Sequence, residues 1–326
     1  AQVNKEAYAN MVKDVLKSRK DAKLNQSQNF NRLVSYITYG PKSPATNILS
    51  EDELNRMDPK LLVDRIHQLN SFKHRILYYG PTKEAELISV INKTHKTPKI
   101  LKDIPKGSEF PMLKTTDTKI YLAPYEAKQI YMSQLSNNGE KFNVNVEPIR
   151  QLYNEYFGGG MNSIVFQEMR ESRGLAYSAW ANYNRPSYLK YPYTFKTQIA
   201  TQNDKMIDAI KTFNEIINVM PESEAAFKLA KEGMIARLRT ERITKMDVIW
   251  SYISAQYLGE NADSRIKVYN DVQHMGLKDV VNFQKTNVKG RTYTYCILGD
   301  KKELDMEGLK KVAPIVELST EDIFGY

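Results

Sequence analysis

The feature of this sequence that most constrains its fold is an internal repeat. Gly40 recurs as Gly259 and Gly80 recurs as Gly299, so both pairs of glycines are separated by the same interval along the chain. Identities between the two copies are sparse, but the residues around these glycines indicate the same order of helices and strand in both. The repeat therefore predicts two related units, of which one is incomplete.

The incomplete copy comes first. We predict that residues 1–95 are the back half of a domain, that its complete copy is residues 118–326, and that the front half of the first copy lies outside this chain. Residues 96–117 are predicted to be a linker, because they contain three prolines and one glycine among many lysines and show no helical or strand period.

The first unit is predicted to be mainly helical. Ser50 with Glu53 fits a capping box, and Asp58-Pro59 is typical of a helix start. The periodicity of apolar residues predicts the other helices and the strand of this unit. The predicted helices are at Glu6–Lys20, Phe30–Tyr39, after Ser50, after Asp58 and at Lys83–Lys93, and a short strand is predicted at Arg75–Tyr79.

The second unit is predicted to mix strands and helices, because its apolar residues change from alternation to helical spacing and back. The predicted strands are Lys119–Ala123, Gln129–Leu135, Tyr177–Asn184 and Thr194–Thr201, and the predicted helices are Glu147–Phe157, Asn162–Glu171, Asp204–Val219 and Ser223–Arg242. A further strand is predicted to end at Gly299, as the counterpart of the strand that ends at Gly80.

One string in the second unit carries a candidate site. Gly158-Gly159-Gly160 ends a helix and allows a sharp turn, after which Asn162 or Ser163 can cap the next helix. Arg170 then falls in the last turn of that helix. Gly174 can adopt the left-handed conformation that ends it, and Tyr177 opens a strand. Arg170 and Tyr177, separated by this turn, could point into one cleft.

This string, from Tyr156 to Ser178, resembles the C-terminal domains of pitrilysin-type (insulinase-like) metallopeptidases. In that family a glycine-rich turn leads into a helix that ends near an Arg-Glu-x-x-Gly-Leu-x-Tyr sequence. The resemblance, together with the repeat, covers nearly the whole chain. It implies α+β domains of the pitrilysin or mitochondrial processing peptidase-like type, each with an antiparallel sheet and helices packed on one face.

The resemblance also implies a role for two residues. Family members place an arginine and a tyrosine at the positions of Arg170 and Tyr177, across a closed chamber from the zinc site of the N-terminal half. Tyr177 would then donate its phenol proton to the oxyanion, and Arg170 would hold a substrate carbonyl or stabilise the same charge. Without the resemblance, a packing role for Tyr177 and a helix-dipole role for Arg170 would be favoured. Glu171 and Arg173 are predicted to form a surface or stabilising pair.

A zinc site is not expected in this chain. Pitrilysin-type peptidases bind zinc through His-x-x-Glu-His, and that string is absent. The four histidines, His67, His74, His95 and His274, show no pair at ligand spacing, so each is predicted to be an ordinary surface or helix-end residue. No metal is therefore assigned to this chain, and zinc is expected in an N-terminal half or a partner subunit.

Composition gives only weak support for nucleic-acid binding. The net charge is +9, but residues 1–117 account for +7 of it (20 Lys and Arg against 13 Asp and Glu), scattered among acids rather than arranged in a stripe. No apolar run reaches the roughly 18 residues needed to insert into a membrane. Serine-elbow and phosphate-loop motifs are absent, and the single cysteine, Cys296, lies in an apolar run where a buried, inert thiol is expected.

Two functions of different classes remain open. The first is the C-terminal part of a zinc metalloendopeptidase, inactive alone, that shapes a peptide-binding chamber for unfolded peptides and that could pair extended substrates with an exposed sheet edge. The second is a catalytically inactive scaffold or peptide-binding domain of the same fold. The expected partners are the zinc-binding half and peptides, with no nucleic acid. The sequence does not decide between cytoplasm and periplasm, and a periplasmic or secreted bacterial location is our expectation.

Overall fold

The computed structural model describes residues 1–326, and one six-stranded sheet forms its centre. The strands are β1 (Lys119–Ala123), β2 (Gln129–Ser136), β3 (Ser178–Asn184), β4 (Thr194–Gln202), β5 (Thr294–Leu298) and β6 (Ile315–Glu317), in the spatial order β3-β4-β2-β5-β1-β6. The three pairings from β3 to β5 are antiparallel, and β1 pairs in parallel with β5 and β6. Every residue of β5 is buried, since the strand lies inside the sheet.

Fourteen helices surround this sheet. They are α1 (Lys5–Lys23), α2 (Gln26–Tyr39), α3 (Glu51–Arg56), α4 (Pro59–Gln68), α5 (Glu84–Thr94), α6 (Glu147–Phe157), α7 (Ile164–Phe166), α8 (Met206–Asn218), α9 (Glu224–Thr240), α10 (Lys245–Tyr257), α11 (Ser264–Val272), α12 (Leu277–Asn287), α13 (Met306–Val312) and α14 (Thr320–Phe324). The predicted capping box at Ser50 and the Asp58 cap are both present. None of the helices is both long and apolar enough to cross a bilayer.

The main core lies on one face of the sheet, where 40 buried residues from the strands and the helices between α6 and α13 pack together. The helices contribute apolar residues at helical spacing: in α8, Ile210, Phe213 and Ile217 are fully buried. The strands contribute alternate residues, such as Ile120 and Leu122 of β1. The α+β class and the helix-covered sheet predicted from the sequence are confirmed.

A smaller core of 10 buried residues lies on the opposite face of the sheet. Phe30, Leu33 and Ile37, spaced along one side of α2, pack with Phe324 of α14 against the strands. This face was not expected to be covered. Because α2 belongs to residues 1–95, the smaller core attaches that segment to the sheet of the second unit.

Cys296 of β5 is part of this smaller core. Its thiol is fully buried, and burial raises the pKa of the thiol to about 12. The reactive species is the thiolate, so the native protein at pH 8 should present almost none of it.

We therefore expect a thiol reagent such as 5,5′-dithiobis(2-nitrobenzoate) to leave the folded chain unmodified and to titrate one thiol per chain in denaturant. A rise in pH from 7 to 8 should not speed the reaction of the folded protein, because the pKa of the thiol stays far above both values. Stoichiometric reaction within minutes under native conditions would show that β5 is accessible.

The strand predicted at Arg75–Tyr79 is absent, and the prediction is wrong for this structure. The segment joins no ladder; the nearest pairing is an isolated bridge between Phe72 and Lys102. Its apolar side chains are exposed, for example Ile76 at 50% and Tyr79 at 52%. A strand forms only where a neighbour accepts its backbone hydrogen bonds, and residues 1–326 offer this segment none.

The helices are nevertheless spaced at the interval of the predicted repeat. The interval along the chain from the start of α1 to the start of α9 equals the interval from the start of α2 to the start of α10. The starts of α4 and α12 are separated by nearly the same interval. At this interval the segment 75–79 corresponds to β5, which is flanked by β1 and β2.

Candidate functional site

The glycine turn places the candidate site next to the edge strand β3. The helix α6 ends at Phe157, and Gly158 donates its N–H to Asn154. A Cβ on Gly158 would lie 1.9 Å from the carbonyl oxygen of Ala181 in β3, so only glycine permits this approach. The next helix then begins after Ser163, whose hydroxyl accepts a hydrogen bond from the N–H of Phe166.

The helix that carries Arg170 changes its winding before it ends. After α7, residues Gln167–Ser172 form a π-helical turn. Such turns are rare and occur often at functional sites. Gly174 has φ = +56°, the left-handed conformation predicted from the sequence, and its N–H donates to the carbonyl of Arg170 at 3.1 Å. The chain then reverses, and the Tyr177 N–H donates to Ala200 of β4 at 2.9 Å.

This reversal brings the side chains of Arg170 and Tyr177 together. The guanidinium carbon of Arg170 lies 5.8 Å from the centroid of the Tyr177 ring and 5.0 Å from that of Phe166. Tyr177 is 71% exposed, and the Arg170 side chain is 45% exposed. Neither side chain donates a hydrogen bond within the chain, and Oε1 of Glu171 lies 3.6 Å from Nε of Arg170. Both sets of donors therefore face solvent.

The pair lies on an open surface of this chain rather than in a cavity. A cavity of about 1030 Å³ is formed elsewhere by residues that include Phe142, Leu189, Glu260 and Ile266. Any enclosed chamber over Arg170 would need a second polypeptide segment to close it.

Arg173 and Glu171 do not form the predicted pair. Arg173 donates to Glu215 of α8 at 3.0 Å and to Thr212 at 3.2 Å, and it lies 3.6 Å from Glu168. Glu171 instead approaches Arg170. The reversal after Gly174 turns Arg173 towards α8, a contact that sequence spacing does not reveal. These contacts are consistent with the stabilising role predicted for Arg173.

The outer edge of β3 is already occupied near its end. Arg150 donates to the carbonyl of Tyr183 at 3.0 Å, and Asn154 both donates to that carbonyl at 3.1 Å and accepts from the Tyr183 N–H at 2.8 Å. The Ala181 N–H donates to Gly158 at 3.3 Å. An extended substrate cannot pair with β3 at these positions, so the exposed edge expected from the sequence is not available there.

A buried ion pair, which sequence reasoning missed, supports this arrangement. Glu147 is fully buried and receives Nε and Nη2 of Arg150 at 3.0 and 2.8 Å. The hydroxyl of Tyr193 also donates to Glu147 at 2.8 Å. Burial, followed by the charge of Glu147, raises the pKa of Tyr193, so the phenol stays protonated and donates. The i, i+3 spacing of Glu147 and Arg150 can be seen in the sequence, but the burial of their side chains cannot.

The four histidines are exposed, as predicted from the sequence, but two of them are in contact. His67 and His274 lie apart from other imidazoles, but Nε2 of His74 lies 2.7 Å from Nε2 of His95. No cluster of three or more His, Cys, Asp or Glu residues converges in the structure.

Comparison with known proteins supports the resemblance over about half of the chain. The profile of the "Peptidase M16 inactive domain" matches residues 75–234, which include Arg170 and Tyr177. A sequence relative, described as "Non-peptidase homolog YmxG" of Helicobacter pylori, is 27% identical over 154 residues, or 45% of this chain and 34% of the relative. The chain thus aligns with about a third of that relative's length.

Solved structures share the fold. The peptidase M16 inactive domain from Pseudomonas fluorescens matches with a TM-score of 0.66 at 13% identity, over 91% of this chain and 70% of that one. The periplasmic protease PqqL from Escherichia coli matches with a TM-score of 0.66 at 13% identity, over 92% of this chain and 33% of that one. The resemblance seen in the sequence is confirmed: residues 75–234 match the inactive domain of M16 peptidases, and the chain shares the fold of such domains.

Proposed function

We propose that this chain is the non-zinc-binding C-terminal part of a zinc metalloendopeptidase. A zinc-carrying half, in the same polypeptide or in a partner subunit, closes a chamber over the surface that holds Arg170 and Tyr177, and unfolded peptides are cut inside it. The observation that carries the proposal is the adjacency of these two side chains, with their hydrogen-bond donors directed to solvent.

The chemistry of the pair suits an oxyanion. A zinc ion bound in the other half would provide the activated water for attack on the peptide carbonyl. As negative charge grows on the carbonyl oxygen, the Tyr177 phenol donates to it, and the Arg170 guanidinium binds the same oxygen or a neighbouring carbonyl. The guanidinium carbon of Arg170 lies 5.8 Å from the centroid of the Tyr177 ring, so one substrate carbonyl can lie within reach of both groups.

A second surface fits the proposed partner segment. The helices α4 and α5 contain no buried residue, and the segment 75–79 has no strand neighbour. Large apolar side chains are exposed throughout this region: Leu61, Leu62, Ile66, Leu69, Ile76, Leu77, Tyr78, Tyr79, Ile88 and Val90. The positions that correspond to β1 and β2 in the first copy precede Ala1. We propose that a polypeptide segment outside residues 1–326 supplies them and covers this apolar surface.

The phenol can be tested directly. In the protein reconstituted with its zinc-carrying half, Tyr177→Phe is expected to lower kcat for a peptide substrate about a hundredfold, the usual effect of removing one oxyanion donor, with a small change in KM. The measurement is steady-state cleavage of a fluorogenic peptide. This chain alone should cleave nothing.

The matched control is Tyr188→Phe. It removes the same atom from another exposed tyrosine, at 40% exposure, that lies apart from Arg170. Its kcat should equal that of the unmodified protein. Equal turnover by the Tyr177→Phe and Tyr188→Phe proteins would remove the catalytic role of the phenol.

A second function, a catalytically inactive scaffold or peptide-binding domain, is favoured by one observation. The relative from Helicobacter pylori is described as a non-peptidase. This alternative predicts that the reconstituted protein binds unfolded peptides, measured by fluorescence anisotropy, but does not cleave them whether Tyr177 is present or substituted.

A further inference from the structure

We propose that His74 and His95 form a binding site for a divalent transition-metal ion of the zinc class, at the base of the segment 75–79. This site is separate from the zinc centre expected in the other half, and it does not depend on the proposed peptidase function. Imidazole nitrogens are preferred ligands of Zn²⁺, Ni²⁺ and Cu²⁺.

The two imidazoles converge. Their Nε2 atoms are 2.7 Å apart, and the rings meet edge to face with centroids 4.9 Å apart. His74 follows the irregular segment at Phe72, whereas His95 directly follows α5, so the contact joins two segments 21 residues apart in sequence. Both rings are exposed and can be reached by an ion from solvent.

The tautomer of His74 leaves its Nε2 ready to bind a cation. Nδ1 of His74 lies 2.7 Å from the carbonyl oxygen of Phe72, which can only accept a hydrogen bond. The proton of the neutral ring therefore sits on Nδ1, and Nε2 carries the lone pair. A backbone carbonyl on the second ring nitrogen is the arrangement that commonly orients a metal-binding histidine.

His95 can supply the second ligand by a change of tautomer. With Nε2 of His74 as acceptor, the neutral ring of His95 donates from its own Nε2. Its Nδ1 has no partner within the chain, so the proton can move there through solvent and free a second lone pair. The hydrogen bond between the rings is then exchanged for two metal–nitrogen bonds.

The backbone around the site is held in place. Lys73 donates its N–H to Lys102 at 2.8 Å, and Lys102 donates to Ser71 at 2.8 Å. Asn70 also donates to the carbonyl of Lys96, next to His95, at 2.8 Å. Two Zn–N bonds of about 2.0–2.1 Å at a tetrahedral angle require nitrogens about 3.3 Å apart, so the rings need to separate by roughly half an ångström and to turn until both lone pairs point to the ion. Exposed side chains can move by this amount.

The test uses the full chain, freed of metal with a chelator and titrated with ZnCl₂ by isothermal calorimetry at neutral pH. We expect one Zn²⁺ per chain, and His74→Gln and His95→Gln should each weaken binding about tenfold or more, because the second imidazole binds intramolecularly. His274→Gln, which removes an isolated exposed histidine, should bind as the unmodified chain does. Circular dichroism will verify that each variant folds.

Three outcomes would overturn the site. The first is no zinc binding by the unmodified chain. The second is loss of binding in only one of the two variants, which would mean adsorption to a single imidazole. The third is loss in His67→Gln instead, since His67 Nε2 lies 3.2 Å from the amino group of Ala1 and could hold zinc with it. Peptide cleavage by the reconstituted protein is measured separately, and its result does not bear on whether His74 and His95 bind zinc.

Discussion

Replacing Glu147 with alanine is expected to lower the free energy of unfolding by about 3–5 kcal/mol, because it leaves a buried guanidinium without its counter-charge. Glu147 is fully buried, and the side chain of Arg150 is only 10% exposed. Two hydrogen bonds join them, and Tyr193 contributes a third to the carboxylate. Arg150 cannot lose its proton, so after the substitution the charge remains in the interior.

Urea unfolding followed by circular dichroism measures this loss. The matched control is Glu307→Ala, which breaks an ion pair of the same i, i+3 spacing with Lys310. Both partners of that pair are largely exposed, so the change should stay within about 0.5 kcal/mol. The double substitution of Glu147 and Arg150 by alanine should cost less than the sum of the two single ones. A Glu147→Ala protein as stable as the Glu307→Ala protein would mean that solvent reaches Arg150.

Local patterns in the sequence were sufficient for most elements of the fold. Helices such as α2 and α6, the caps at Ser50 and Asp58, and five of the six strands were predicted to within a few residues. These features depend on side-chain periodicity and on contacts between residues three or four apart. The sheet order was not predicted, because the pairing of strands depends on contacts that are distant along the chain.

The strand predicted at 75–79 shows where such patterns fail. Its apolar residues resemble those of a strand, and its counterpart β5 is one. The difference lies in the neighbours: β1 and β2 pair with β5, whereas nothing in residues 1–326 pairs with Arg75–Tyr79. Whether a segment forms a strand depends on the neighbouring strands that pair with it. The local sequence alone therefore could not decide whether 75–79 forms one.

The candidate site was predicted as a pair of residues but not as a geometry. The sequence placed Arg170 before the left-handed Gly174 and Tyr177 after it, and the reversal at Gly174 brings the two side chains together. The π-helical turn around Arg170 and the contact of Arg173 with Glu215 left no signal in the sequence. The same holds for His74 and His95, whose contact depends on the path of the chain between them.

The position of Tyr177 depends on β3, which it precedes, and β3 in turn depends on α6. Side chains of α6 hold the backbone of Tyr183, and the end of α6 contacts Ala181 through Gly158. The glycine turn therefore links the packing of α6 to the position of Tyr177. It follows that a side chain added at Gly158 should disturb both α6 and β3.

Gly158→Ala is expected to destabilise the protein by about 3 kcal/mol, at the upper end of the cost of overpacking. The added Cβ would lie 1.9 Å from the oxygen, 2.6 Å from the carbonyl carbon and 2.8 Å from the Cα of Ala181, all of them backbone atoms that cannot rotate away. Either α6 or β3 must shift. The hydrogen bond from the Ala181 N–H to the carbonyl of Gly158 is long, at 3.3 Å, and should be the first to break.

The control is Gly233→Ala in α9, where an added Cβ meets no atom within 4 Å. Because alanine favours a helix over glycine, this protein should be as stable as the unmodified one or more stable by up to about 1 kcal/mol. Urea unfolding measures both variants, and hydrogen exchange at the amide of Ala181 should lose protection only in Gly158→Ala. Equal unfolding free energies would mean that α6 and β3 are not in contact at this turn, and Tyr177 would then not depend on it for its position.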